Sequence, residues 1–153
     1  MTNHEMINRE IINNLLVGLF NQILDIEMRY MLSKGFKDLT INELHLIDAI
    51  SSCGNPTMTN VADAATLTNG TITTAIKKLE TKNYVKRSDD PYDRRIKRVS
   101  LTNSGIKASI IHNKFHEEMI DWLIGDTDIL QNDILVESLQ RLGYFFEDIK
   151  EKL

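Results

Sequence analysis

The stretch DDPYDRRIKRVSLTNSG, Asp89 to Gly105, carries four basic residues (Arg94, Arg95, Lys97 and Arg98) within five positions. DDPYD has the proline and aspartates of a tight turn, because proline presets φ and aspartate bonds its own backbone two residues on. IKRVSL, directly after it, alternates and is rich in β-branched residues, so it reads as a strand. YVKRS, directly before, has the same character. The segment is therefore a β-hairpin whose tip and return strand bear the cations. Thr102 then stands where a helix N-cap belongs.

Upstream of the hairpin, Ile72, Ala75, Ile76 and Leu79 recur at i, i+3, i+4, i+7. That spacing predicts an amphipathic helix over about 69–82 with Thr68 as N-cap. Its outer face carries Gly70, Thr73, Thr74, Lys77 and Lys78. Asn83 follows, and asparagine adopts the left-handed conformation more readily than any residue but glycine. A shorter helix is expected over about Thr59–Ala65, its apolar positions Val61, Ala62 and Ala65 all small. Thr66-Leu67-Thr68 connects the two. A small-residue helix, a three-residue turn and an amphipathic helix make a helix-turn-helix. With the hairpin attached, the expectation is a winged helix: mainly α with a small β-wing.

Further out the chain reads as long helices. Ile7, Ile11, Leu15, Leu19 and Ile23 recur at four-residue spacing over about 6–32, joined by Ile12, Leu16, Phe20 and Leu24, until Lys34-Gly35. Thr40 and Glu43 form a capping box ahead of Leu44, Ile47 and Ile50, and Gly54-Asn55-Pro56 stops that helix. A helix from Asn103 to about Ile124 carries Ile106, Ile110, Phe115, Met119 and Leu123. Gly125-Asp126-Thr127 breaks it, and a last helix carries Leu135, Leu139, Leu142, Phe146 and Ile149. These end helices are too apolar for the small middle region to cover, which predicts a homodimer with interleaved chain ends. The expected organisation is one domain over 1–153. Its DNA-binding core spans about 39–105, and its dimerisation helices about 6–32 and 103–153.

Composition agrees with a soluble globular chain: 153 residues, 42% hydrophobic and 26% charged. No apolar run approaches the ~18–20 residues that span a bilayer. The N-terminal MTNHEMINRE carries acid and no apolar core, unlike a secretory signal. The single cysteine, Cys53, cannot form an internal disulfide. A cytoplasmic location is expected. Net charge is −4, yet residues 69–100 hold nine basic and four acidic side chains. A basic stripe on an acidic body is the electrostatic footprint of a polyanion-binding face.

The chemistry of that face suits duplex DNA. Thr68, Asn69, Gly70, Thr71, Thr73 and Thr74 would reach base edges in the major groove, while Lys77 and Lys78 would neutralise phosphates. Threonine bonds either kind of base, and its methyl meets the thymine methyl. Gly70 would let the backbone come close to the duplex. On the wing, Arg94, Arg95 and Lys97 supply charge, and arginine is favoured in a narrow minor groove. Asp93 lies two residues before Arg95, near enough to hold its guanidinium before DNA arrives.

Thr59 to Gly105 resembles the MarR family of winged-helix transcriptional regulators. The Asp93-x-Arg95 wing, the Leu101-Thr102 pair and Gly105 stand where that family's D-x-R…LT..G pattern puts them, and the flanking long helices match its dimerisation elements. Asn83 departs from the family's usual glycine. The resemblance implies a homodimer that binds a pseudo-palindromic operator and usually represses. FKDLTINELHLIDAI, GTITTAIKKLE and KFHEEMI further resemble the branch that represses fatty-acid biosynthesis genes in low-GC Gram-positive bacteria. That likeness implies an acyl chain, carried on acyl carrier protein, as co-repressor in an apolar tunnel between the first, second and fifth helices. Met28, Met31, Phe36, Phe115 and Met119 are its candidate lining; ordinary core packing is the competing account of each.

Other readings compete with this one. His112 and His116 are i, i+4 and share a helix face. If their helix meets the first and second, Glu27 and His45 would complete a tetrahedral Zn²⁺ set. This arrangement also resembles the family's zinc-responsive branch, although Leu44 stands where that branch has a carboxylate. Cys53 as an oxidant sensor is a further alternative, against a structural cysteine. A protein-interaction module using the basic wing on an acidic partner is another. No enzyme is expected: HNKFH lacks the glutamate of H-E-x-x-H, and no glycine-rich phosphate loop or nucleophile–base signature is present. No cofactor is required by the leading reading.

Overall fold

The computed structural model describes residues 2–152. Six α-helices and one two-stranded sheet follow in the order α1 (Asn3–Ser33), α2 (Ile41–Cys53), α3 (Met58–Ala65), α4 (Asn69–Thr81), β1 (Val85–Asp89), β2 (Lys97–Leu101), α5 (Asn103–Ile124) and α6 (Asp133–Lys152). A 3-10 turn at Ile129–Gln131 precedes α6. The architecture is the expected one, mainly α with a β-wing. The chain forms two compact units, the first running to Phe115 and the second from His116 onward; α5 passes through both.

Local chemistry sets the helix starts. Thr40 receives the Glu43 amide at 3.3 Å, and Glu43 receives the Thr40 amide at 2.8 Å, the reciprocal pair that satisfies two orphan donors. The same box forms at Thr2 and Glu5. α3 begins at Met58, a residue earlier than its apolar pattern suggests, because Thr57 and Asn60 form a third box. Thr68 caps α4 by accepting the Thr71 amide, and Thr102 accepts the Gly105 amide at the start of α5. Asn83 adopts φ +63°, the left-handed turn expected between α4 and the wing.

The core of the first unit is aliphatic. Leu44, Ile47 and Ile50 of α2 meet Val61 and Ala62 of α3, Ile72, Ile76 and Leu79 of α4, and Val85 and Val99 of the wing. α4 thus buries the predicted stripe, and burying each such side chain contributes about 1.5–3 kcal/mol. From α1 only Glu27 and Met31 are buried. Met6, Ile7, Ile11, Ile12, Leu15, Leu16, Leu19 and Phe20 are all exposed. In the second unit α6 buries nothing; Leu139, Phe146 and Ile149 are exposed, as is Trp122 on the last turns of α5.

Two polar ties join the segment after α4 to the start of α2 and the loop before it. Lys82 donates to both carboxylate oxygens of Glu43 at 2.8 Å and to the Asp38 carbonyl at 2.5 Å. The Tyr84 hydroxyl donates to Asp38 at 2.7 Å. Burial pushes the Glu43 carboxyl up, but the Lys82 and Thr40 hydrogen bonds outweigh it and hold the group below its usual range.

Candidate nucleic-acid interface

The interface is built on α3, α4 and the hairpin. The α3–α4 turn is tight: the Leu67 amide donates to the Ala62 carbonyl at 2.9 Å, and Thr66 takes φ +54°. α4 turns Ile72, Ile76 and Leu79 inward, so Asn69, Gly70, Thr71, Thr73, Thr74, Lys77 and Lys78 all lie exposed. The Thr73 and Thr74 hydroxyls are already committed as donors. Thr73 donates to the Asn69 carbonyl at 2.8 Å and Thr74 to the Gly70 carbonyl at 3.2 Å. The Thr68 and Thr71 hydroxyls bond each other at 2.9 Å. What Thr73 and Thr74 offer outward is oxygen lone pairs and methyl groups, which suit base amino groups and the thymine methyl. Around Gly70, a side chain would meet no atom of the chain within 4 Å. Packing within the described residues therefore does not require glycine there.

The nine cations of residues 69–100 divide into two sets. Lys82 is tied to Glu43, Arg87 to Glu80 at 2.5 Å and Lys97 to Asp89. Arg98 is spent inside the wing: its Nε donates to Asp90 at 2.5 Å and its Nη1 to the Asn55 carbonyl at 2.8 Å, leaving the side chain 31% exposed. These bonds, with the Thr57–Arg98 bridge and the Val99 amide on the Pro56 carbonyl, seal the hairpin to the loop before α3. Lys77, Lys78, Lys86 and Arg94 have no ion-pair partner among the described residues. Arg95 stands between the sets. Its guanidinium is 91% exposed and held by Asp93 through two bonds of 2.9–3.0 Å, with its amide also on Asp93. The Arg95 guanidinium holds the Asp93 carboxyl below its usual range. The expected Asp93–Arg95 ion pair is thus present, and Lys97, expected on the DNA side, is paired with Asp89 across the hairpin.

Asp90 organises the tip. Its carboxylate accepts the Tyr92 and Asp93 amides at 2.8 and 3.1 Å as well as Arg98, and these bonds, the Tyr92 amide first, lower its pKa. Asp90 and Arg98 are structural anchors of the site that residue type and spacing did not single out. Eight residues separate them, and only the hairpin register, with Ser88 opposite Arg98, brings them together.

A second polar cluster lies in the same unit. Glu27, His45 and His112 bring one ligand atom each within 4.8 Å of one another. His112 is buried, with Nε2 against Glu27 and Nδ1 against Asp48; Ser109 also donates to Asp48 at 2.8 Å. Burial pushes the His112 pKa down, but Asp48 and Glu27 outweigh it and hold it raised. A carboxylate behind a histidine fixes tautomer and ring, as in many metal sites, yet a protonated imidazole between two carboxylates is satisfied without metal. His116, the fourth expected ligand, lies in the second unit. Of the expected tunnel residues, Met31 and Phe36 belong to the core and Met28 packs against it. Phe115 packs against Tyr30 in a tilted pair with centroids 5.3 Å apart, and Met119 is half-buried in the second unit. Cys53 ends α2, exposed.

Comparison with known proteins decides the family. The MarR family pattern matches residues 39–97. The HTH-type transcriptional regulator SarZ of Staphylococcus haemolyticus is 32% identical over 107 residues, 69% of this chain and 70% of that protein. The chain belongs to the MarR family. Among solved structures, that of Streptococcus pneumoniae FabT in complex with DNA superposes with a TM-score of 0.84 at 32% identity, covering 92% of this chain and 99% of FabT. A point mutant of Staphylococcus aureus MepR bound to an oligodeoxyribonucleotide shares the fold, with a TM-score of 0.59 at 21% identity over 95% of this chain and 99% of MepR. The matched span, residues 39–97, includes α4, β1 and the Asp93–Arg95 pair. Among the described residues no helix is long and apolar enough to cross a membrane.

Proposed function

We propose that this MarR-family regulator is a homodimeric DNA-binding repressor of fatty-acid biosynthesis genes, with an acyl chain on acyl carrier protein as co-repressor. The likeness to FabT along nearly its whole length, in a structure that contains DNA, carries the DNA-binding part. In this mechanism α4 enters the major groove, where Thr73 and Thr74 offer oxygen lone pairs and methyl groups to the base edges. Lys77 and Lys78 lie against phosphates, and each neutralised phosphate releases counterions. Arg95, already ordered by Asp93, enters the neighbouring minor groove with little further loss of side-chain entropy. The second copy repeats these contacts one helical turn away, ~34 Å.

Two apolar surfaces support the dimer. The N-terminal half of α1 in one unit and α6 in the other each expose large hydrophobic side chains that a monomer would leave in water. The acyl chain rests on the three sequence stretches that resemble the fatty-acid branch, with Met28, Met31, Phe36, Phe115 and Met119 as its proposed lining. A zinc-responsive repressor is the second reading, favoured by the closeness of Glu27, His45 and His112. There those residues, with His116, would hold the ion, and Asp48 would orient His112; the ion would supply a fixed charge joining helices.

One paired titration separates these readings. Operator binding is measured with long-chain acyl carrier protein and, separately, with free Zn²⁺ in metal-free buffer. Tightening by the acylated carrier alone supports the acyl reading. Tightening by Zn²⁺ alone replaces it with the metal reading. Binding of the acylated carrier without any duplex binding would leave a protein-interaction module.

A further inference from the structure

Tyr92 occupies the tip of the wing and is 97% exposed. Its backbone is not loose. The Tyr92 amide donates to Asp90 at 2.8 Å, the Asp93 amide to the same oxygen at 3.1 Å, and the Ile96 amide to the Asp93 carbonyl at 2.9 Å. A closed, hydrogen-bonded loop therefore projects an aromatic ring into solvent, close in sequence to the arginine that Asp93 aims. The phenol hydroxyl has no partner among the described residues. Arg94, two positions on, has no ion-pair partner there either.

We infer that Tyr92 is a DNA contact: its ring packs on the deoxyribose wall of the minor groove, and its hydroxyl donates to a backbone phosphate. This rests on the DNA-binding reading above and extends the DNA-facing residues of the wing beyond its cations. A minor groove about 6 Å wide that already holds the Arg95 guanidinium has no room for a phenol ring beside it. The ring is left at the groove's edge, where sugar carbons present an apolar face and phosphate oxygens accept from tyrosine hydroxyls. A ring whose backbone is fixed by Asp90 loses little freedom on docking, since only two side-chain torsions remain to be ordered. The contact is neutral, so it adds affinity without releasing a counterion.

The test uses the full chain and the duplex that the wild-type protein enriches most from a random-sequence library. Tyr92→Ala is expected to weaken binding about tenfold, and Tyr92→Phe about threefold, consistent with a lost hydrogen bond and a lost packed ring. The slope of log affinity against log salt should stay at the wild-type value in both. Thermal melting should not move, because the ring is almost wholly in solvent in the free protein. Arg95→Ala serves as the control. If Arg95→Ala weakens binding while Tyr92→Ala stays within about twofold, the wing is used and Tyr92 is not part of it. A salt slope reduced by about one in Tyr92→Ala would also overturn the proposal, since the loss would then come from a disturbed cation. If the wild-type protein enriches no duplex, the DNA-binding reading fails, and this inference with it.

Discussion

A Cβ at Gly105 would lie 2.1 Å from the carbonyl oxygen of Tyr84. That carbonyl accepts the Thr102 amide at 3.0 Å, and the Thr102 hydroxyl donates to the Asn83 carbonyl at 2.6 Å. The start of α5 is thus pressed against the residue pair joining recognition helix to wing, and the glycine makes that approach possible. Gly105→Ala is expected to cost about 2–3 kcal/mol, since the atom it meets is backbone and not the free end of a flexible side chain. Urea unfolding measures it, and an unchanged midpoint would mean the two segments separate freely.

Arg98 and Arg95 sit three residues apart in the same cluster and should respond in opposite ways. Arg98→Ala removes the Asp90 and Asn55 bonds that seal the hairpin to the α3 loop. It should lower the melting temperature and raise amide exchange across β1 and β2. Arg95→Ala should leave melting unchanged and weaken operator binding roughly 5- to 150-fold, the range for a lost specific contact. Equal melting curves for the two variants would remove the division of labour.

Gly70→Ala should separate stability from binding. Nothing in the chain crowds a methyl there, and alanine favours the helix by up to about 1 kcal/mol, less in the first turn. The variant should melt slightly higher, while duplex affinity falls about tenfold as the methyl holds the backbone off the base edges. Affinity equal to wild type would show that the duplex does not come close at this point.

The parts of this site legible in the sequence are those whose partners lie within one turn of chain. Thr40–Glu43, Thr68–Thr71 and Asp93–Arg95 are close neighbours in sequence, and residue type with spacing sufficed. Asp90–Arg98, Lys82–Glu43 and Tyr84–Asp38 lie 8, 39 and 46 residues apart. Only the fold brings those together, so a run of four cations could not be sorted into anchors and contacts. Thr66 gave no signal of its left-handed φ, because β-branched residues seldom adopt it. His112 read as half of an i, i+4 pair, while its partner Asp48, on another helix, carried no local mark.

His112 ties a pH dependence to that distant contact. Its pKa is raised above the ordinary 6.5 in the folded chain, Asp48 and Glu27 outweighing burial. Its stabilising contribution is therefore full below about pH 6.5 and lost as pH rises through the higher folded value. With chelator present, the stability gap between wild type and His112→Asn should shrink as pH rises above the ordinary imidazole value. A gap that widens with pH would mean the imidazole is buried neutral.

If two copies present α4 and the Arg95 wing to one duplex, the footprint must carry their symmetry. Hydroxyl-radical footprinting on the duplex enriched from a random library reads it. The expected pattern is an inverted repeat whose half-site centres lie about 10 base pairs apart, with outer minor-groove protection that Arg95→Ala removes. Enrichment of a lone half-site, or protection indifferent to Arg95, would refute the paired arrangement.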